Sequence, residues 1–171
     1  MSLKINCKQK SYMGISELKS FHSLPIGQMQ SLAQRLAGQL GSGDIVTLSG
    51  EIGSGKTTFA RAMIGAIAEG TPEVTSPTFT LMQSYDVKLA DGVNDVLWHL
   101  DLYRLKNRKE TEALGLDELW QHIVVIEWPD IIAPVLPKKH LTISFDFGKN
   151  HDTRRLVFSG DETWQGRLKD L

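Results

Sequence analysis

"SGEIGSGKTTFARAM", Ser49 to Met63, places Gly50, Gly53 and Gly55 close together, follows them with Lys56-Thr57-Thr58 and continues into an apolar helix. Gly50 to Thr57 satisfies G-x-x-x-x-G-K-[ST], the pattern of a phosphate-binding loop. Glycines let the backbone enter conformations closed to other residues, so that successive N–H groups converge on one anion. The helix that follows aims its positive N-terminal end at the same point. Lys56 is then expected to reach the β and γ oxygens of a nucleotide, and the Thr57 hydroxyl to ligate Mg2+.

The flanking sequence supplies the strand and helix that such a loop needs. "DIVTLSG" before it is a short β-branched strand, and Phe59, Ala60, Met63, Ile64 and Ile67 after it recur at helical spacing. Upstream, Ile26, Met29, Leu32, Ala33, Leu36 and Leu40 predict a helix ended by Gly41 and Gly43. Downstream, "FTLMQSYDV" (Phe79 to Val87) and "DVLWHLDLY" (Asp95 to Tyr103) read as strands joined through the turn dipeptide Asp91-Gly92, hence an antiparallel pair. "RLKNRKETEALGLDELWQ" predicts one or two helices broken near Gly115. "HIVVIEW" is a near-continuous apolar run of the kind buried on both faces of a sheet. "HLTISFDF" and "RRLVFSG" suggest a closing hairpin. The expected fold is α/β: a single P-loop NTPase-like domain with a mixed parallel and antiparallel central sheet flanked by helices. Its expected limits are an N-terminal extension over 1–23, the domain over 24–160, and a C-terminal tail or short helix over 161–171.

A phosphate loop needs a carboxylate from a neighbouring strand to hold the metal or its water. Glu127, where "HIVVIEW" meets a loop, is the candidate, beside the alternative of a solvated strand-end glutamate. In "HLDLYR", strand alternation puts His99, Asp101 and Tyr103 on one face. Asp101 is a candidate to orient an attacking water or to reach magnesium through water, while His99 and Tyr103 read alternatively as packing residues. "SPTFT" (Ser76 to Thr80) is either a γ-phosphate sensor, with Thr78 offering its hydroxyl, or a plain turn entering a strand. Trp128 and Asp130 follow Glu127 at the expected mouth of the site. An exposed Trp128 would mark a binding surface, a buried one ordinary core.

Composition narrows the class. The 171 residues are 41% hydrophobic and 23% charged, suited to one globular domain. Net charge is −1, from 19 basic and 20 acidic residues, which gives no global positive field for holding nucleic acid directly. Cys7 is the sole cysteine, so no disulfide framework is expected. The N-terminus lacks an apolar signal core, and no run approaches the roughly 18 apolar residues of a membrane span. A cytoplasmic setting is expected.

Taken together, "GEIGSGKTTFARAM", "VTSPTFTLMQSY", "HLDLYRL", "LGLDEL", "IEWPD" and "LPKKHLTI" resemble the TsaE family, small P-loop ATPases of bacterial tRNA threonylcarbamoyladenosine biosynthesis. The resemblance covers Leu24 to Gly160, and the segment before Leu24 is longer than is usual for the family. It implies an ATP-binding protein with slow Mg2+-dependent hydrolysis. It also implies partnership with an ASKHA-type heterodimer that transfers the threonylcarbamoyl group to an adenosine beside the anticodon, with tRNA held only through those partners. Carried over, Gly50 and the loop residues Gly53, Ser54, Gly55, Lys56, Thr57 and Thr58 hold the phosphates. Thr57 and Glu127 serve the metal. Asp101, Glu127 and Lys56 are the catalytic set, with Thr78 in a switch-like loop and Asp130 near the nucleotide. Glu51 and Ser54 stand where Asp and Ala are typical, and the phosphate-binding features survive both.

Two other classes compete. A small-molecule or nucleotide kinase would use "RLKNRKE" (Arg104 to Glu110) as a lid, although that run reads more simply as a solvated helix face. A nucleotide-gated binding module would keep affinity without meaningful catalysis. A GTPase is disfavoured, since "KNHD" at Lys149 to Asp152 is not the N-K-x-D guanine reader. Arg104, Arg154 and Arg155 are candidates for a charge on the transition state, and no motif assigns any of them that job.

Overall fold

A run of four β-branched apolar residues and a glutamate, Ile123–Glu127, forms a strand in which all five residues are buried. Such a run can only sit inside a sheet covered on both faces. In the computed structural model, which describes residues 16–150 and 152–171, that strand is β5 of a seven-stranded sheet. Cys7, the rest of residues 1–15 and His151 lie outside the described residues.

The elements run β1 (Ser16–Pro25), α1 (Ile26–Ala37), β2 (Ile45–Gly50), α2 (Lys56–Ile67), β3 (Met82–Lys88) and β4 (Asn94–Asp101). They continue with α3 (Arg108–Glu112), α4 (Leu116–Leu119), β5 (Ile123–Glu127), β6 (Leu141–Phe147), β7 (Thr153–Gly160) and α5 (Glu162–Arg167), with a 3-10 turn at Pro129–Ile132. The sheet order is β1-β7-β6-β2-β5-β4-β3. Its centre is parallel, with β2 between β5 and β6 and β4 beside β5. The pairs β3–β4, β6–β7 and β1–β7 are antiparallel. The expected mixed sheet in a single α/β domain is therefore the observed one.

Two strands are shorter than their sequence pattern suggests, for local reasons. β3 begins at Met82 rather than Phe79. The Leu81 N–H turns back to the Pro77 carbonyl at 2.6 Å, and Leu81 takes a left-handed backbone, φ +67°. β4 ends at Asp101 because its own Oδ1 accepts the Tyr103 N–H at 3.1 Å, an Asx turn that diverts the chain.

Helices α1, α2 and α5 cover one face over Met29, Leu36, Phe59, Met63, Phe145, Phe158 and Trp164. The other face is covered by α4 and the 3-10 turn over Leu100, Leu116, Leu119, Ile126 and Ile132. Phe59 anchors the first layer edge-on to Phe145 and Phe158, with ring centroids 5.5 and 6.5 Å apart. Phe59→Ala is expected to cost about 3–5 kcal/mol through lost burial and an unfilled cavity. A lowered midpoint in urea unfolding checks it.

β1 crosses residue 24 and pairs along β7, from Ser16 opposite Gly160 to Pro25 opposite Thr153. The segment after Gly160 folds back onto it. Lys19 donates to the carbonyls of Leu168 and Lys169 at 2.9 and 3.2 Å. Arg167 lies over the Trp164 ring at 3.9 Å and is paired with Asp44. The three central strands β2, β5 and β4 finish at one level: Glu127 is the register partner of both Leu48 and Asp101. In open α/β sheets, ligands bind beyond the carboxyl ends of such strands.

Candidate functional site

β2 leaves the sheet at Gly50, and the glycine there is forced by its neighbours. Its φ is +148°, and a Cβ would stand 2.4 Å from the Phe145 carbonyl oxygen. Gly55, φ +106°, caps α2 with no side-chain hydrogen bond. The first-turn N–H groups of α2 are thus left to an outside acceptor, and the helix dipole favours an anion there. A Cβ at Gly55 would press on Met29 of α1, at 3.0 Å from its Cε. Between these two glycines the crest residues Glu51, Ile52 and Gly53 are exposed.

Lys56 folds back over the loop. Its Nζ donates to the Gly50 and Glu51 carbonyls at 2.8 and 2.9 Å and stands 3.8 Å from the centre of the Trp128 ring. Burial lowers the lysine pKa, and the carboxylates of Glu127 and Asp101 oppose that shift. One residue on, the Thr57 hydroxyl donates to Glu127 Oε2 at 2.7 Å. The other oxygen of Glu127 lies 3.0 Å from His99 Nε2, with both side chains buried.

The second carboxylate is tied to the loop before β3. Asp101 Oδ2 accepts from the Thr78 hydroxyl at 2.5 Å and from the Ser76 hydroxyl at 3.2 Å. Trp128 follows Glu127 in a left-handed conformation, φ +59°, uncommon for a bulky residue and a form of strain that gathers at binding sites. Its ring is half-buried and tilts against Tyr103, centroids 4.9 Å apart.

These groups enclose a cleft of about 350 Å3. Of the residues picked out by sequence, Gly53, Gly55, Lys56, Thr57, Thr58, Thr78, Asp101 and Glu127 line it together. Gly50 sits at the loop's root. Ser54 is fully buried under the loop, and its Oγ has no hydrogen-bond partner. Asp130 is solvent-exposed on the 3-10 turn and is not among the lining residues. Ile52, Ser76, Tyr103 and Trp128 join the lining.

His99 is fully buried, as a packing residue would be, yet it bonds Glu127. The alternation that put it on the face of Asp101 was the only signal for that contact. Of the three arginines, Arg104 lies over the exposed Phe79 ring at 4.9 Å and Arg155 pairs with Asp146 at 3.2 Å. Arg154 contacts the outer side of the phosphate loop, donating to the Ser54 and Gly53 carbonyls at 2.9 and 3.1 Å.

The chemistry of the donor set fits a nucleotide with Mg2+. A loop of helix-start amides and a lysine faces a hydroxyl and two carboxylates, all hard oxygen donors of the kind Mg2+ takes. Among the described residues, no group of three or more His, Cys, Asp or Glu side chains is placed to hold a metal alone. No helix among the described residues is long and apolar enough to cross a membrane.

Comparison with known proteins gives one consistent result. The family model of the threonylcarbamoyl adenosine biosynthesis protein TsaE matches residues 26–156. A tRNA threonylcarbamoyladenosine biosynthesis protein TsaE from Bacillus subtilis is 39% identical over 137 residues, 77% of this chain and 79% of that one. Its namesake from Rickettsia felis is 36% identical over 120 residues, 70% of this chain and 67% of the relative. The crystal structure of Bacillus subtilis YdiB superposes with a TM-score of 0.71 at 27% identity, covering 94% of this chain and 95% of that one.

Proposed function

The chain belongs to the TsaE family, and from that premise we propose that it binds ATP with Mg2+ in the cleft, hydrolyses it slowly when alone, and serves threonylcarbamoyladenosine formation on tRNA. One observation carries the reading. The loop of Lys56 and Thr57 faces two carboxylates, Asp101 and Glu127, that end adjacent strands in register.

Within that reading the loop amides and Lys56 take the β and γ phosphates. Thr57 and Glu127 would hold Mg2+, which when bound neutralises charge developing on the phosphate oxygens. His99 orients Glu127 through its second oxygen. Asp101 would orient a water. Its Oδ2 is taken up by the Thr78 and Ser76 hydroxyls, so water can use that oxygen only after those hydroxyls turn away. That resting arrangement supports slow hydrolysis by the lone protein. Fast phosphoryl transfer usually needs a further cation, worth about 10³–10⁵ in rate when supplied in trans. Arg104, Arg154 and Arg155 are each engaged elsewhere.

The partner that completes the site is, on this reading, the ASKHA-type heterodimer that carries out the threonylcarbamoyl transfer. With a net charge of −1, the chain meets tRNA through that partner, in the cytoplasm. Steady-state ATP hydrolysis, measured with and without the heterodimer, is expected to rise at least about tenfold on its addition. Equal rates would defeat the partner-dependent step. Transfer of labelled γ-phosphate to an acceptor other than water would establish the kinase instead. Full complementation of a depleted strain by Asp101→Ala and Glu127→Ala would establish the binding module.

A further inference from the structure

We infer that Arg154 is a positioning residue of the phosphate loop, a clamp supplied by β7 from outside the motif. The inference rests on the reading of the cleft as a nucleotide site. Arg154 Nε donates to the Ser54 carbonyl at 2.9 Å, and Nη2 donates to the Gly53 carbonyl at 3.1 Å. Two adjacent carbonyls therefore meet one planar fork, the geometry in which arginine differs from lysine.

The consequence lies in the peptide planes. In a trans peptide the C=O and the next N–H point in opposite directions within one plane, and the chain has no cis bond among the described residues. Fixing the Ser54 carbonyl toward Arg154 fixes the Gly55 N–H away from it, and Gly55 lines the cleft. The Ser54 N–H is already spent on the Glu51 carbonyl at 3.2 Å. The clamp thus selects the direction of an amide that glycine's own freedom would leave undetermined.

Arg154 is itself held. Its Nη1 donates to the Thr153 carbonyl at 2.9 Å, and its guanidinium lies 4.8 Å from the ring centre of Phe147, its register partner on β6. On its other side it pairs with Leu24 of β1. The phosphate loop is in this way coupled to the edge of the sheet built by β1 and β7.

The test uses the full chain with Arg154→Ala and Arg154→Lys. Two quantities are read: Mg-ADP affinity by calorimetry, and amide exchange over residues 52–58 in nucleotide-free protein. Arg154→Ala is expected to weaken Mg-ADP about tenfold and to speed exchange in that segment about tenfold or more, with exchange in α1 and β5 unchanged. Arg154→Lys keeps the charge but not the fork, so it should recover part of both effects. A purely structural role would instead lower protection throughout the sheet, and that outcome overturns the clamp. So does wild-type affinity and loop exchange in either variant. If the unmodified chain fails to bind Mg-ADP, the nucleotide reading falls. The clamp is then decided by exchange alone, faster in 52–58 for it and unchanged against it. If the alanine variant does not fold, the lysine variant decides on the same two readings.

Discussion

Lys56→Ala is expected to weaken Mg-ATP binding by about a hundredfold or more, and to abolish measurable hydrolysis with it. The side chain is almost wholly buried and its ammonium rests on two loop carbonyls, with Glu127 and Asp101 nearby. Removing one partner of a buried charge pair typically costs about 2–5 kcal/mol, and each 1.4 kcal/mol is about a factor of ten. Here the loss is felt twice. The phosphates would lose their one lysine contact, and the cleft would lose the cation that acts electrostatically with Glu127 and Asp101. Titration calorimetry with Mg-ATP and Mg-ADP measures it. An affinity within threefold of the unmodified chain would mean that the polyphosphate lies elsewhere.

The second large effect is expected from Glu127→Gln, which keeps shape and removes charge. Glu127 is 1% exposed and spends both oxygens, one on the Thr57 hydroxyl and one on His99. A glutamine can satisfy both neighbours only if its amide and the His99 tautomer are arranged to suit, so the fold should survive. The turnover number is expected to fall about 10²–10³-fold, the usual scale for removing one preorganised electrostatic group. A more specific sign accompanies it. In the unmodified chain, adding Mg2+ should tighten ADP binding, since a metal held by Thr57 and Glu127 would link the two ligands reciprocally. In the variant that Mg2+ dependence should largely disappear. Retained turnover, or an undiminished response to Mg2+, would remove Glu127 from the metal role.

The parts of this structure legible in the sequence are those specified over short distances. The loop from Gly50 to Thr57 declares itself through glycine spacing. β5 declares itself through its unbroken apolar run, and the β3–β4 hairpin through Asp91-Gly92. The phosphate-loop pattern calls for a carboxylate near Thr57, and the Thr57 hydroxyl donates to Glu127 at 2.7 Å. β1 was not legible, because "SELKSFHSLP" carries little alternation and pairs with β7, more than a hundred residues away. The Phe79 end of β3 misled because β propensity favours Phe-Thr-Leu, whereas the bond from Leu81 to Pro77 decides the local path. Arg154 carried no local signal, since its role depends on sheet order, which brings β7 close to the loop. Asp130 lies close in sequence to Glu127, yet the 3-10 turn after Trp128 leaves it solvent-exposed, a placement that depends on the local backbone path and not on spacing.

The jammed glycine at position 50 has a dynamic corollary. The loop is held at its root by the pairing of Gly50 with Phe145 and along its length by Lys56, the Ser54 N–H and Arg154 on the Glu51, Gly53 and Ser54 carbonyls, while Met29 leaves no room for a side chain at Gly55. An arriving ligand therefore has little backbone left to immobilise, and the entropy normally lost in organising an anion nest was mostly spent when the chain folded. Substitutions that loosen these supports, such as a smaller residue at Met29, should make binding slower to organise while leaving every phosphate-facing group in the sequence untouched.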